Sequence, residues 1–226
     1  MYYIFIILSL LITVSAQIYV KAMFKKYSKV QNSRGLTGAE AARQLLMEHG
    51  ITNVGIQQVS GNLTDHYDPT TNIIRLSDDV FDKTSVAAVG VAMHEAGHAV
   101  QFAKGYAPFK IRNAIVKSTN IASTLSYILV VAGMIFGMQT KLGDSLFVLG
   151  IVFFLAVIFF QLVTLPVEFN ASGRAVRFLR DSGVLDADEQ HGVRKVLTAA
   201  ALTYVAAVAV SLLNLMRLLA IRGRRR

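Results

Sequence analysis

The sequence predicts a mainly α, polytopic membrane protein with three to four transmembrane helices and a small β-hairpin or sheet. Three observations carry that expectation. Hydrophobic residues make up 54% of the 226, charged ones only 16%, and the mean hydropathy is +0.48, too apolar for an ordinary soluble domain. Four apolar runs, Tyr2–Val20, Ile121–Met138, Ser145–Val167 and Ala199–Met216, approach the ~20 helical residues that cross a bilayer core. Between the first two lies a polar stretch whose alternation and turn residues suit short strands and amphipathic helices.

Taken in order, residues 1–20 read as a first transmembrane helix. Val14-Ser15-Ala16 resembles a signal-peptide cleavage site, but no basic residue precedes the run and it is long for a signal core, so a retained anchor is expected. Residues 21–120 form the first polar segment and open on a basic juxtamembrane stretch, Lys21 to Lys29. Gly38 to Met47 has the pattern of a short amphipathic helix closing at His49-Gly50. His49 reads there as a polar residue at a helix C-terminus.

Ile51–Gln58 and Asn72–Ser77 read as strands. Leu63-Thr64-Asp65-His66-Tyr67-Asp68-Pro69 between them reads as a polar turn. If Asn72–Ser77 is an edge strand, an extended peptide could add to it. Thr84 or Ser85 can start the next helix, Val86 to about Ala103, which ends before Gly105. Its small apolar residues predict packing on nearly every side, and Gly90 and Gly97 predict close approach by neighbours.

Residues 121–167 form a transmembrane hairpin around the turn 139–144, followed by a second polar segment, 168–198. Residues 199–226 are a fourth apolar helix and the basic tail Arg222-Gly223-Arg224-Arg225-Arg226. Asn214 and Arg217 weaken that run as a clean span, so it either spans or lies in the interface. Segments 21–120 and 168–198 carry 17 of the 23 basic residues, and the turn 139–144 carries only Lys141. Basic loops stay on the cytoplasmic side, which sets both segments there and the N-terminus outside. A prokaryotic plasma membrane is the expected location. The net charge of +9 follows this topology and brings no nucleic-acid recognition motif with it.

The chemistry concentrates in His94-Glu95-Ala96-Gly97-His98. Residues i and i+4 share a helix face, so both imidazoles can reach one cation, while Glu95 stays near enough to act on water at that cation. With five His and five Glu in the chain, H-E-x-x-H arises by chance roughly 0.2% of the time. There is no Cys, so a metal must be held by His, Asp or Glu, which suits a catalytic zinc better than a structural one. A third histidine six residues past His98 is absent, because that position is Lys104. His66 and His191 have no supporting spacing. Glu168, at the returning end of the hairpin, re-emerges where the chain left, and a carboxylate at a membrane boundary is costly unless hydrated, paired or coordinating.

The motif helix, the transmembrane hairpin and the Glu168-Phe169-Asn170-Ala171 segment resemble the HtpX and CAAX-prenyl-protease membrane zinc endopeptidases. The match is closer to the YugP-like neutral zinc metallopeptidases, carried by Asp65–Pro69, Val86–Gln101 and Leu165–Ala175 and extending over nearly the whole chain. The resemblance implies a zincin-like active-site helix and one Zn2+ per chain held by His94, His98 and Glu168, with Glu95 as the base. Where HtpX relatives usually place an aspartate, four residues after the ligand Glu, this chain has Ser172. Asn170 and Ser172 are candidates to orient the ligands. His66, Tyr67 and Tyr204 are candidates to steady the transition state.

The expected activity is hydrolysis of peptide bonds in membrane-associated proteins or peptides at the cytoplasmic surface. A non-catalytic membrane scaffold keeping a zinc site is the alternative, though structural zinc needs no Glu95. A site-2-type intramembrane protease fits less well, because polar sequence surrounds the motif and no later Asp-Gly ligand segment follows. The oligomeric state is left open.

Overall fold

A computed structural model describes residues 2–223; Met1 and the tail residues Arg224, Arg225 and Arg226 lie outside the described residues. The element order is α1 (Tyr2–Tyr27), α2 (Gly38–Glu48), β1 (Gly55–Val59), β2 (His66–Asp68), β3 (Ile73–Ser77), α3 (Val86–Ala103), α4 (Ala107–Ile135), α5 (Lys141–Ser182) and α6 (Ala187–Gly223). α1, α4, α5 and α6 are each long and apolar enough to cross a membrane. The fourth apolar run is thus part of one uninterrupted helix, despite Asn214 and Arg217.

The chain divides into two compact units. One comprises Met1–Ala16, Ile111–Leu165 and Thr203–Arg226; the other comprises Gln17–Lys110 and Pro166–Leu202. The first unit is a helical bundle with a small buried apolar cluster: Val130, Met138, Phe147, Ile151 and Leu218. Its α4 and α5 approach at glycines. A Cβ on Gly150 would lie 2.7 Å from Val130 Cγ2 and 2.9 Å from the Val130 backbone nitrogen. A methyl group there would have to move a backbone, so the residue must be small.

The second unit has a conventional hydrophobic core. α2 starts at Thr37, whose hydroxyl accepts from the Glu40 N–H while the Glu40 carboxylate accepts from the Thr37 N–H. This reciprocal capping box satisfies two donors at the helix start that have no intrahelical partner. The helix buries Ala41, Ala42, Leu45 and Leu46, one turn apart on one face. The three strands form a sheet in the order β1-β3-β2, with β1 parallel and β2 antiparallel to β3. Ile74 and Leu76 of β3 are fully buried, worth roughly 1.5–3 kcal/mol each against exposure.

Two strand expectations change. The segment expected to be only a polar turn, Leu63–Pro69, contains β2. β3, expected as a candidate edge, is instead central, and β2 takes an edge. The cause is tertiary: Asp65 accepts from the Ser77 N–H at 2.7 Å and from its hydroxyl at 3.0 Å, laying the polar segment alongside β3. Its composition is that of a turn, but its conformation is set by pairing.

α3 is the helix on which the site is built. Ser85 caps it, its hydroxyl accepting from the Ala88 N–H, and Gly105 at φ +64° follows its end. It is buried on nearly all sides, against the sheet, α2, and the portions of α5 and α6 within the same unit.

Candidate metal centre

The motif helix gives the site its geometry through one close crossing. A Cβ on Gly97 would lie 2.7 Å from the Ala171 carbonyl oxygen, so α3 and α5 touch nearly backbone to backbone. Gly97 lies between His94 and His98, and Ala171 lies one turn after Glu168. The crossing therefore sets the Glu168 carboxylate against both imidazoles. Glu168 Oε2 is 3.2 Å from His94 Nε2 and 3.6 Å from His98 Nε2, and the two Nε2 atoms are 3.1 Å apart. These three residues form the cluster that could hold a metal ion among the described residues.

The spacing can be compared with a known shell. Zinc–nitrogen and zinc–oxygen bonds of about 2.0–2.1 Å in a tetrahedron separate ligand atoms by about 3.3 Å. The observed separations of 3.1, 3.2 and 3.6 Å bracket that value. Two neutral imidazoles and a carboxylate are also the donor set of a catalytic zinc that keeps a fourth position open. The residues fit the ion.

Each imidazole is held from its other nitrogen. His94 Nδ1 is 3.0 Å from Ser172 Oγ, and His98 Nδ1 is 3.0 Å from Gln101 Oε1. With Nε2 turned to the cluster, both Nδ1–H groups donate and these oxygens accept, which fixes tautomer and ring plane together. Gln101 is fully buried and uses its amide in both directions. Its Nε2 donates to the Val167 carbonyl at 2.7 Å and to Asn170 Oδ1 at 3.0 Å. Asn170 Oδ1 also accepts from Arg174 Nε at 2.8 Å. Gln101 thus ties a histidine of α3 to the turn of α5 that carries Glu168.

Gln101 is the residue that motif reading missed. A signal was present: it sits three residues after His98, one turn along the same face, as the one polar residue of the helix outside the His94–His98 motif. Pro166 is in the same region of α5; lacking an N–H, it gives nothing to the carbonyl four residues earlier.

Glu95 is buried, and its Oε2 accepts from the Tyr67 N–H of β2 at 2.9 Å. Burial pushes its carboxyl above the ordinary range; His94 opposes the shift, and Glu168 and Asp65 add to it. Tyr67 packs its ring among Phe102 and Phe109, and its hydroxyl donates to Asn72 Oδ1 at 2.7 Å. Burial pushes the Tyr67 phenol up to about 12. The edge strand therefore meets the motif through a backbone group.

Two histidines are not part of the metal-capable group among the described residues. His66 is exposed on β2, its Nδ1 2.8 Å from the Thr64 carbonyl, and His191 is exposed near the start of α6. Tyr204 is half-buried on α6, in the unit that does not contain the cluster.

Residues 2–223 match the family described as "Putative neutral zinc metallopeptidase". The chain belongs to that family. It is also 48% identical over 202 residues, 89% of this chain and 88% of the relative, to the "Putative membrane protease YugP" of Bacillus subtilis (strain 168). No solved structure matches the chain. The family description names zinc and the cluster could hold a metal ion, while the relative's name agrees with four helices of membrane-spanning character.

Proposed function

We propose that this chain is a membrane-bound zinc endopeptidase. His94, His98 and Glu168 hold one zinc ion per chain, Glu95 is the general base, and the substrate is a membrane-associated protein or peptide at the cytoplasmic surface. The observation that carries the reading is the set of three ligand atoms at tetrahedral spacing, with Glu95 next to a ligand on the same helix.

Bound zinc would supply Lewis-acid polarisation of the scissile carbonyl and acidify a water molecule. The chain's own residues do the rest. Glu95 takes the proton of the attacking water and passes it to the leaving amine. A carboxyl raised by burial is a stronger base than an exposed one, which suits that transfer. Ser172 and Gln101 keep both imidazoles turned towards the cluster. The Tyr67 N–H holds the Glu95 carboxylate in place.

The orientation is supported by charge. If all four helices span, one side receives the 17 basic residues of 21–120 and 168–198, and the other receives the remaining 6 of 23, the tail included. That bias favours a cytoplasmic site.

Purified protein in detergent should contain zinc in one-to-one stoichiometry and cleave an unstructured protein. A chelator should stop cleavage and added zinc restore it. Glu95→Gln should keep zinc and lose cleavage; an equally active variant removes the base assignment, and zinc without any turnover returns the scaffold reading. Because the chain has no Cys, a single cysteine at Thr71 can report sidedness. A membrane-impermeant maleimide should label Thr71→Cys only after cell lysis, and labelling of intact cells would reverse the topology.

A further inference from the structure

The helical unit contains a cavity of about 800 Å3 that the proposed chemistry does not use. It lies among α1, α4, α5 and α6, with Val130, Val131 and Met134 on one wall and Asn214 and Arg217 on another. Most of its lining is apolar and no acidic residue contributes to it. The cation is the informative part. The Nε of Arg217 is buried and has no hydrogen-bond partner among the described residues.

Arg222, five residues on, is the contrast. It donates to both carboxylate oxygens of Asp144, at 2.8 and 3.0 Å. Asp144 is in the first turn of α5, beside the short α4–α5 turn, so this ion pair marks one end of the bundle. Arg217 lies about 7 Å deeper along α6. An arginine below a membrane boundary is costly unless its charge meets an anion or reaches water, and its long stem can extend back towards the surface.

We infer that this cavity binds one anionic phospholipid, its phosphate on Arg217 and an acyl chain along the α4 wall. The dimensions favour a lipid over a helix. From Ser123 to Met134 the lining extends about 16 Å along α4, close to the depth of one leaflet in a core of about 30 Å. A spanning helix needs about 30 Å of length, nearly twice what this lining provides. A phosphate supplies the acceptors that a guanidinium recognises, and a zwitterionic headgroup offsets its phosphate with an ammonium.

The test uses the full chain in detergent micelles, with phosphatidylglycerol or phosphatidylcholine of identical acyl chains, and retained lipid counted by native mass spectrometry. Wild type should retain one phosphatidylglycerol with at least a tenfold preference, and the preference should fall as salt is raised. Arg217→Gln should abolish the preference, Arg217→Lys should keep part of it, and Val131→Trp, which fills the slot, should remove retention of both lipids. Thermal unfolding followed by circular dichroism checks that each variant is folded. Equal retention of the two lipids by wild type, a salt-independent preference, or a preference surviving in Arg217→Gln overturns the assignment. So does a photo-crosslinker at Tyr127 that captures a protein helix instead of lipid. The wild-type arms decide the matter even if a variant fails to fold.

Discussion

The two units of this chain are held together by different means. In the unit with the metal-capable cluster, Leu45, Ile74, Leu76, Val86 and Met93 are fully buried, and burial of that kind is driven by water. In the helical unit, large apolar residues such as Ile7, Ile128, Leu155 and Phe159 are exposed, as a lipid-facing surface should be. Lipid tails give helices no hydrophobic reason to associate, so contact there rests on close packing at Gly133, Gly143 and Gly150. Gly97 uses the same device in the other unit for a different end: there the close approach places a ligand. Small residues thus serve stability in one unit and positioning in the other.

The sharpest separation should come from Glu95→Gln. Loss of a general base typically costs 10²–10⁴-fold in rate, while the donor set around the ion is untouched. Turnover of a peptide substrate should fall by at least a hundredfold, with zinc stoichiometry and the melting temperatures of both units unchanged.

Much of this contrast was legible in the sequence, for reasons that differ by element. The limits of α3 followed from Ser85 and Gly105 because capping is local chemistry. The four apolar helices followed from hydropathy, although α5 runs on to Ser182 because Ala171, Ala175 and Leu179 continue a buried helical stripe beyond the apolar run. β2 was not legible. Three residues with turn composition become a strand only through Asp65 and the pairing with β3, and the parallel β1–β3 pairing is likewise a tertiary property. Glu168 could be brought towards the motif by hairpin topology alone. Gln101 could not be assigned, because its role depends on which carbonyl and which amide α5 presents to it.

Gln101→Leu should therefore weaken zinc binding by about 10–100-fold, the usual effect of losing an outer hydrogen bond to a ligand. Competition with a chromophoric chelator reads this directly, independently of turnover. Gln101→Glu keeps an acceptor for His98 and should retain most of the affinity at neutral pH. Equal loss in both variants would mean that the amide's bonds to Val167 and Asn170 matter more than its bond to His98.

Matched glycine substitutions probe the two uses of close packing. Gly97→Ala and Gly150→Ala should each destabilise by about 1–3 kcal/mol, as overpacking does. Only Gly97→Ala should also weaken zinc binding, since only there does the crossing carry a ligand. A fall in zinc affinity in Gly150→Ala would show that the difference between the units is smaller than their packing implies.

The smallest effect concerns pH and the β2–β3 turn. Asp68 accepts from the Thr71 hydroxyl at 2.7 Å, the Thr70 N–H at 2.9 Å and Arg75 Nη1 at 3.0 Å, and these bonds hold its carboxyl well below the usual carboxylate range. A depressed folded value gives stability that is present above the unfolded value of 3.8 and is lost as pH falls through the folded value. Asp65 opposes this, because burial raises its carboxyl and its contribution is lost as pH rises. Asp65 is common to wild type and Asp68→Asn, so it cancels in their difference. The gap in melting temperature between the two proteins, followed by circular dichroism, should be constant near neutrality and close progressively below pH 3.8. A gap that persists to the lowest pH would mean that the turn is held by shape and not by the Asp68 charge.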